Sequence, residues 1–325
     1  MRHIYRYLSW IAGLMASLSP AAAADSDRGT LSLEAIFSPD KEVRIEFGGS
    51  PRTGLEWTAN GDRYLLPVDA ASTFQPPLAV EVASGGSRPL FEADELADAF
   101  AELPELPATD IRRLLREDVR LAPDQSALLV ERAGDLFHFS IADGEARRLT
   151  RSPAVEELAR FSPDGRFVAF VRAHDLHTVE VQTGNETALT LDGDANLLNG
   201  KLDWVYQEEI YGRGDFKAFW WSPDSKMLAF LQLDESPVPR FTLVDHLETR
   251  SATEVVHYPK AGDPNPKVRL AVVSPSGGDL VWIDTSRYAD TDHLIVRVGW
   301  TPDSRRVVFF VQDRTQTWLD FNVAD

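Results

Sequence analysis

The sequence predicts an all-β protein of the β-propeller class, and two recurring phrases and their spacing support this prediction. The first phrase joins a proline to an aspartate in a turn and occurs at residues 121–124 (Leu-Ala-Pro-Asp), 161–165 (Phe-Ser-Pro-Asp-Gly), 221–225 (Trp-Ser-Pro-Asp-Ser) and 300–304 (Trp-Thr-Pro-Asp-Ser). The second phrase alternates apolar and polar residues before a glycine and occurs at residues 80–85, 139–144 and 179–184. Repetition of this kind indicates a protein built from similar units.

Each copy of the first phrase precedes a predicted strand. Proline presets φ and the aspartate side chain can bond its own following backbone, so the phrase is a tight turn between strands. The runs that follow are short and rich in apolar, β-branched and aromatic residues. They cover residues 127–131, 167–172, 227–232 and 307–312.

The spacing of the turns favours propeller blades. The prolines of successive phrases are 40, 60 and 79 residues apart. The first interval fits a four-stranded blade, and the longer ones fit blades that carry insertions. A β-sandwich is the alternative, but a sandwich has no reason to repeat one turn phrase at blade-length intervals.

Two segments depart from the strand pattern. Residues 91–120 place Leu96, Phe100 and Leu103 at helical spacing before Pro104 interrupts it, which predicts a short helical insertion. A second helical pattern is expected around residues 111–115. Residues 197–219 form the other insertion, and they carry the candidate chemistry.

Composition excludes several functions. The net charge of −18, from 51 acidic and 33 basic residues, opposes binding to nucleic acid. The chain has no cysteine, so it holds no disulfide, thiolate nucleophile or cysteine zinc site. His174 and His177 have metal-ligand spacing but no third ligand in view, so we expect exposed histidines, and no metal or cofactor.

The N-terminus is typical of a secretory signal. A basic start is followed by an apolar run over residues 7–18 and by small residues ending at Ala24. A membrane anchor is the alternative, but the apolar run is short for a spanning helix and a cleavage site follows it at once. We therefore expect removal of residues 1–24, no stable membrane span afterwards, and a periplasmic or secreted protein.

Residues 203–214 contain an acidic pair, Glu208 and Glu209, among aromatic residues. Adjacent residues on a helix point about 100° apart, so the two carboxylates would converge only in a short or bent turn. A converged pair would be costly to keep ionised unless a cation lay between them, which would suit an ammonium group. From the residues alone, a solvated surface pair is the simpler interpretation.

The run Asp-Trp-Val-Tyr-Gln-Glu-Glu-Ile-Tyr at 203–211, followed by Trp-Trp-Ser-Pro-Asp at 220–224, resembles the signature of the dipeptidyl peptidase IV family, serine peptidases of the prolyl oligopeptidase class. The resemblance continues through residues 234–239 and through Tyr-Pro-Lys-Ala-Gly-Asp-Pro-Asn-Pro at 258–266. It implies an eight-bladed propeller in which a small helix projects into the active-site cavity. It also implies that Glu208 and Glu209 bind the α-ammonium of a peptide with a free N-terminus. The family uses a further arginine on a substrate carbonyl, for which Arg132 is an unaligned candidate.

The resemblance implies a serine-type dipeptidyl aminopeptidase that releases N-terminal dipeptides, with Xaa-Pro or Xaa-Ala preferred. The family's nucleophile lies in a Gly-x-Ser-x-Gly motif of an α/β-hydrolase domain, and this motif is absent from the 325 residues. We therefore expect no catalytic residue in this chain, no peptidase activity from it alone, and a partial propeller over residues 25–325. A fragment, a truncated reading frame and a split gene all stay open, as does a homodimer for the complete enzyme. The alternative function is a non-catalytic periplasmic propeller that binds peptides or protein partners.

Overall fold

A computed structural model describes residues 55–58, 61–66, 76–104, 106, 119–247 and 251–325. The expected signal at residues 1–24 and the second helical pattern at 111–115 lie outside the described residues. Within the described part, no helix has both the length and the apolar character needed to cross a bilayer.

Three four-stranded antiparallel sheets follow one another along the chain, each with its strands in sequence order. The first sheet contains β1 (Glu56–Trp57), β2 (Arg63–Leu66), β3 (Leu78–Glu81) and β4 (Ser87–Pro89). The second contains β5 (Val119–Leu121), β6 (Ala127–Arg132), β7 (Asp135–Ser140) and β8 (Ala146–Arg148). The third contains β9 (Glu156–Phe161), β10 (Phe167–Arg172), β11 (Asp175–Glu180) and β12 (Glu186–Ala188).

The fourth sheet carries the insertions. The strands of this sheet are β13 (Leu197–Asn199), β14 (Phe219–Trp221), β15 (Leu228–Asp234), β18 (Lys267–Val273) and β19 (Val281–Trp282). A separate hairpin pairs β16 (Arg240–Asp245) with β17 (Ala252–His257). The last sheet contains β20 (His293–Trp300), β21 (Val307–Asp313) and β22 (Leu319–Ala324), and a 3₁₀ turn (Ser286–Tyr288) precedes it.

This succession of up-and-down antiparallel sheets confirms the all-β propeller prediction. All four strands predicted after the turn phrase are present, with ends that differ by at most two residues: Ala127–Arg132, Phe167–Arg172, Leu228–Asp234 and Val307–Asp313. The total number of blades stays a prediction.

The repeated turn has one left-handed position in every copy, and its last two copies also connect neighbouring sheets. Its left-handed position is taken by Gln125, Gly165, Ser225 and Ser304, with φ of 62°, 71°, 62° and 62°. The hydroxyl of Ser225 accepts a hydrogen bond of 3.0 Å from the backbone N–H of Asp164, one phrase earlier. Ser304 accepts one of 3.0 Å from Asp224 in the same way. Serine at this position therefore bridges adjacent blades.

Burial follows the position of each sheet in the stack. Residues 168–171 of β10 are completely buried on both faces, since sheets pack on either side of it. β21 instead alternates, with Phe309 and Val311 buried and Phe310 part-exposed. On β22, Phe321 is 63% exposed and contacts Phe310 at 5.4 Å between ring centres.

The predicted helical insertion after the first sheet is confirmed as helix α1 (Ala93–Ala101). Leu96 and Phe100 are buried on its inner face, and the Phe100 ring meets Phe137 of β7 edge to face at 6.3 Å. The helix ends before Pro104, as the missing proline N–H requires.

The expectation of exposed histidines at 174 and 177 is wrong. His177 is part-buried on β11, where its ring stacks on Phe170 at 5.5 Å, and burial lowers its pKa. His174 is also part-buried, in a left-handed turn between β10 and β11. Among the described residues, no three histidine or acidic side chains form a group suited to a metal ion.

Candidate functional site

The acidic pair lies on a short π-helix (Tyr206–Tyr211), which is inserted between β13 and β14. The Asp203 carboxylate caps its start, accepting hydrogen bonds from the backbone N–H groups of Val205 at 3.1 Å and Tyr206 at 3.0 Å. Gly212, with φ of 128°, ends it in a conformation that only glycine adopts easily. Such wide turns are frequent at functional sites.

Tyrosine side chains fix this helix against β20 of the next sheet. Tyr206 is fully buried, and its hydroxyl accepts a hydrogen bond of 3.3 Å from the backbone N–H of Ile295. The Tyr211 hydroxyl donates to the Ile295 carbonyl at 3.2 Å. Arg297 adds a third tie, since its Nη1 donates to the Ile210 carbonyl at 3.1 Å. The helix is therefore held between two blades rather than projecting freely.

Glu208 faces the turn that follows the helix. Its Oε1 lies 2.5 Å from Nη2 of Arg213, and its side chain is only 17% exposed while that of Arg213 is 83% exposed. Buried Gln207 shapes this turn by accepting a hydrogen bond of 2.8 Å from the N–H of Gly214. The Glu208 carboxylate is thus paired with a cation of the protein itself, the Arg213 guanidinium.

Glu209 has different surroundings. It is exposed, and it lines a cavity of about 590 Å³ between the π-helix and the last sheet. No ion pair joins Glu209 to another described residue. The remaining lining residues are Val205, Ile210, Asn265, Leu294, Val296, Arg297, Phe310, Gln312, Arg314, Gln316 and Leu319. The structure therefore brings Glu209, but not Glu208, to this cavity.

A second acidic group lies beneath the helix and was not singled out from the sequence. Burial raises the pKa of Asp203 to about 6. Burial and the Asp203 charge raise the pKa of Glu235 to about 7. Nδ1 of His257 lies 3.4 Å from Glu235 Oε2. Glu235 falls in the motif at 234–239, but its partners come from distant segments. Arg297 and Arg314 were also missed, because no motif surrounds them.

The raised pKa of Asp203 predicts a pH-dependent stability. Its folded pKa lies above the ordinary value of 3.8, so its protonation favours folding. This contribution is complete below about pH 4 and is lost as the pH rises through about 6. We expect Asp203→Asn, which keeps an oxygen for the helix cap and removes the charge that helps to raise the Glu235 pKa, to gain stability relative to the wild type between about pH 4 and about pH 7.

Urea unfolding of both proteins across this range is the measurement. His138, whose pKa is lowered to about 4 by burial and by Arg147, is present in both proteins, so its opposite effect cancels in the difference. Parallel stability profiles for wild type and variant would contradict the prediction.

Comparison with known proteins identifies the family. The family model described as the dipeptidyl peptidase IV (DPP IV) N-terminal region matches residues 123–325. The chain belongs to this family. The match includes the π-helix, the cavity and strands β6 to β22.

Relatives of the chain are considerably longer. A probable dipeptidyl-aminopeptidase B of Chaetomium globosum is 30% identical over 337 residues, covering 90% of this chain and 35% of the relative. A probable dipeptidyl peptidase 4 of Emericella nidulans is 32% identical over 201 residues, covering 57% of this chain and 26% of the relative. The chain thus spans about a third or less of these relatives.

Solved structures show the same fold. The dipeptidyl peptidase 4 of Porphyromonas gingivalis matches with a TM-score of 0.69 and 22% identity, over 83% of this chain and 38% of that one. A putative dipeptidyl aminopeptidase IV of Bacteroides ovatus matches with a TM-score of 0.61 and 19% identity, over 83% of this chain and 35% of that one.

Proposed function

We propose that this chain is the substrate-binding propeller portion of a serine-type dipeptidyl peptidase, which releases dipeptides from the free N-termini of peptides. Membership of the dipeptidyl peptidase IV family supports the proposal, as do the names of its relatives. A preference for Xaa-Pro or Xaa-Ala follows from the family resemblance. Because the sequence contains no Gly-x-Ser-x-Gly, we assign bond cleavage to an α/β-hydrolase domain outside these 325 residues.

The observation that carries the proposal is the placement of Glu209. Three hydrogen bonds hold its helix against β20, and its carboxylate lines a cavity without an ion pair to the described residues. A carboxylate carried by a fixed helix at a cavity is suited to the α-ammonium of a peptide, because a charge-assisted hydrogen bond anchors one end of the substrate. With that end anchored, the cleaved bond lies a fixed number of residues from the substrate's N-terminus.

In this proposal, Glu208 also binds the α-ammonium of the peptide. Its carboxylate is held by Arg213, whose guanidinium is mostly exposed and lies on a turn flanked by Gly212 and Gly214. A substrate ammonium would share or displace this guanidinium. Arg213 meanwhile neutralises one of two adjacent negative charges, which lowers the cost of keeping both ionised.

The proposed place of action is outside the cytoplasm. We infer that residues 1–24 are a secretory signal, that residues 25–325 form the propeller portion, and that the protein is periplasmic or secreted. The basic start, the apolar run and the small residues before Asp25 support this.

Calorimetric titration of the chain with Ala-Pro amide tests the ammonium site. We expect acetylation of the peptide's N-terminus to weaken binding about tenfold or more, because acetylation removes the charge. Glu209→Gln should weaken binding of the free amine to a similar extent. The control is Glu145→Gln, which removes an exposed charge at a turn outside the cavity. Equal affinity for the free and the acetylated peptide would refute the ammonium site.

A further inference from the structure

We infer that the cavity beside Glu209 selects peptides whose first residue is acidic, with Arg297 and Arg314 binding its side-chain carboxylate. This inference rests on the proposed function, because Glu209 must hold the α-ammonium for the first side chain to enter the cavity. It concerns a preference among substrates and adds two specificity residues to the proposed site.

The charges lining the cavity are opposite to those of the chain as a whole. The net charge of the chain is −18, yet the cavity presents two guanidinium groups, Arg297 and Arg314, and one carboxylate, Glu209. A concave site with an excess of one sign attracts ligand groups of the other sign. Once Glu209 is paired with a substrate ammonium, the two arginines are the charges left for the rest of the ligand.

Arg297 is positioned but not neutralised. Its Nη1 donates to the carbonyls of Ile210 at 3.1 Å and Val296 at 2.9 Å, and its guanidinium lies 5.5 Å from the centre of the Tyr211 ring. No carboxylate of the described residues forms an ion pair with it, and its Nε and Nη2 make no hydrogen bond to them. These two donors have the fork geometry that binds a carboxylate through two parallel bonds.

Arg314 lines the same cavity and directly follows β21. Its Nη1 is 3.3 Å from Asp292 Oδ2, and the Asp292 side chain is 54% exposed, so this is a solvent-screened pair. The carboxylate of the neighbouring Asp313 forms no ion pair with Arg314. It accepts hydrogen bonds from the hydroxyls of Thr315 and Thr317 and from the backbone N–H groups of Thr317 and Trp318 instead.

Aspartate and glutamate fit this arrangement because both ends of the residue are charged. The α-ammonium and the side-chain carboxylate are separated by only two or three carbon atoms, so one residue could contact both walls of the cavity. Leu294, Val296 and Phe310 add apolar surface to the lining, which suits the methylene groups of such a side chain. A lysine or arginine as the first residue would place a second cation against two guanidinium groups.

Titration of the full chain with Glu-Pro, Gln-Pro and Lys-Pro amides tests the inference. The first two differ only in one charge, and amidation leaves the glutamate side chain as the sole carboxylate. We expect Glu-Pro amide to bind about tenfold more tightly than Gln-Pro amide, and Lys-Pro amide to bind most weakly. Arg297→Gln or Arg314→Gln should reduce the Glu/Gln ratio to about twofold or less. Added salt should also reduce it.

Arg306→Gln is the matched control, since Arg306 ends the turn between β20 and β21, pairs with Asp325 and does not line the cavity. The ratio should be unchanged in this variant. If Gln-Pro amide binds in a Glu209-dependent way but Glu-Pro amide binds no more tightly, the inference is wrong and the proposed function stands. A preference that survives both arginine substitutions would equally overturn the assignment. Binding that does not depend on Glu209 would remove the proposed function, and the inference with it.

Discussion

Replacing Tyr206 with alanine is expected to destabilise the chain by about 3–5 kcal/mol, the usual cost of removing a large aromatic side chain from a packed core. Tyr206 is 0% exposed and belongs to a hydrophobic cluster that joins the fourth sheet to the last one. Its hydroxyl is the partner of the Ile295 N–H, so the substitution also leaves a buried donor unpaired. Urea unfolding of wild type and variant measures the loss.

Tyr206→Phe separates packing from hydrogen bonding. Phenylalanine keeps the ring and loses the hydroxyl, so we expect a loss of about 1 kcal/mol. We also expect Tyr206→Ala to weaken binding of Ala-Pro amide, because the helix that positions Glu209 loses its anchor, while Tyr206→Phe should retain most of this binding. A Tyr206→Ala variant as stable as the wild type would mean that the helix is not held by this contact.

The fold could be predicted because its turns depend on local chemistry. The proline and aspartate of each phrase fix the turn within five residues, and strands on either side follow from alternating apolar residues. The left-handed φ at Ser225 and Ser304 is part of the same local pattern. The bridges from these serines to Asp164 and Asp224 were not predictable, because they join residues 61 and 80 positions apart.

The site was predicted only in part, for a related reason. The adjacent position of Glu208 and Glu209 and the surrounding motif indicated the helix, but sequence could not show which cation or cavity each carboxylate meets. Arg213 reaches Glu208 through a local turn, whereas Arg297 arrives from β20, 87 residues after Ile210. Contacts between blades therefore decide the difference between the two glutamates.

Peptidase activity is expected only where this chain is joined to a serine hydrolase domain, and there Glu208→Gln or Glu209→Gln should greatly reduce it. We expect kcat/KM for release of a dipeptide from a free N-terminus to fall roughly 30- to 1000-fold, which corresponds to a loss of about 2–4 kcal/mol of transition-state stabilisation. The reason is that one side of a charge pair would be removed after the substrate has excluded water from it. Glu145→Gln, which alters an exposed glutamate outside the cavity, should have no such effect.

A comparison of peptides with free and with blocked N-termini distinguishes substrate recognition by Glu208 and Glu209 from a structural role of these residues. A peptide with a blocked N-terminus lacks the cation, so it should be a poor substrate for the wild type and lose little more in either glutamine variant. The wild-type rate on free peptides should fall as the pH rises and the substrate amine, with a reference pKa of about 8, loses its proton. This alkaline fall should be weaker in the variants, because they no longer discriminate strongly between the charged and the neutral amine. Equal fractional losses on free and blocked peptides would show instead that the two glutamates support only the fold, since a folding defect lowers the rate on every substrate alike.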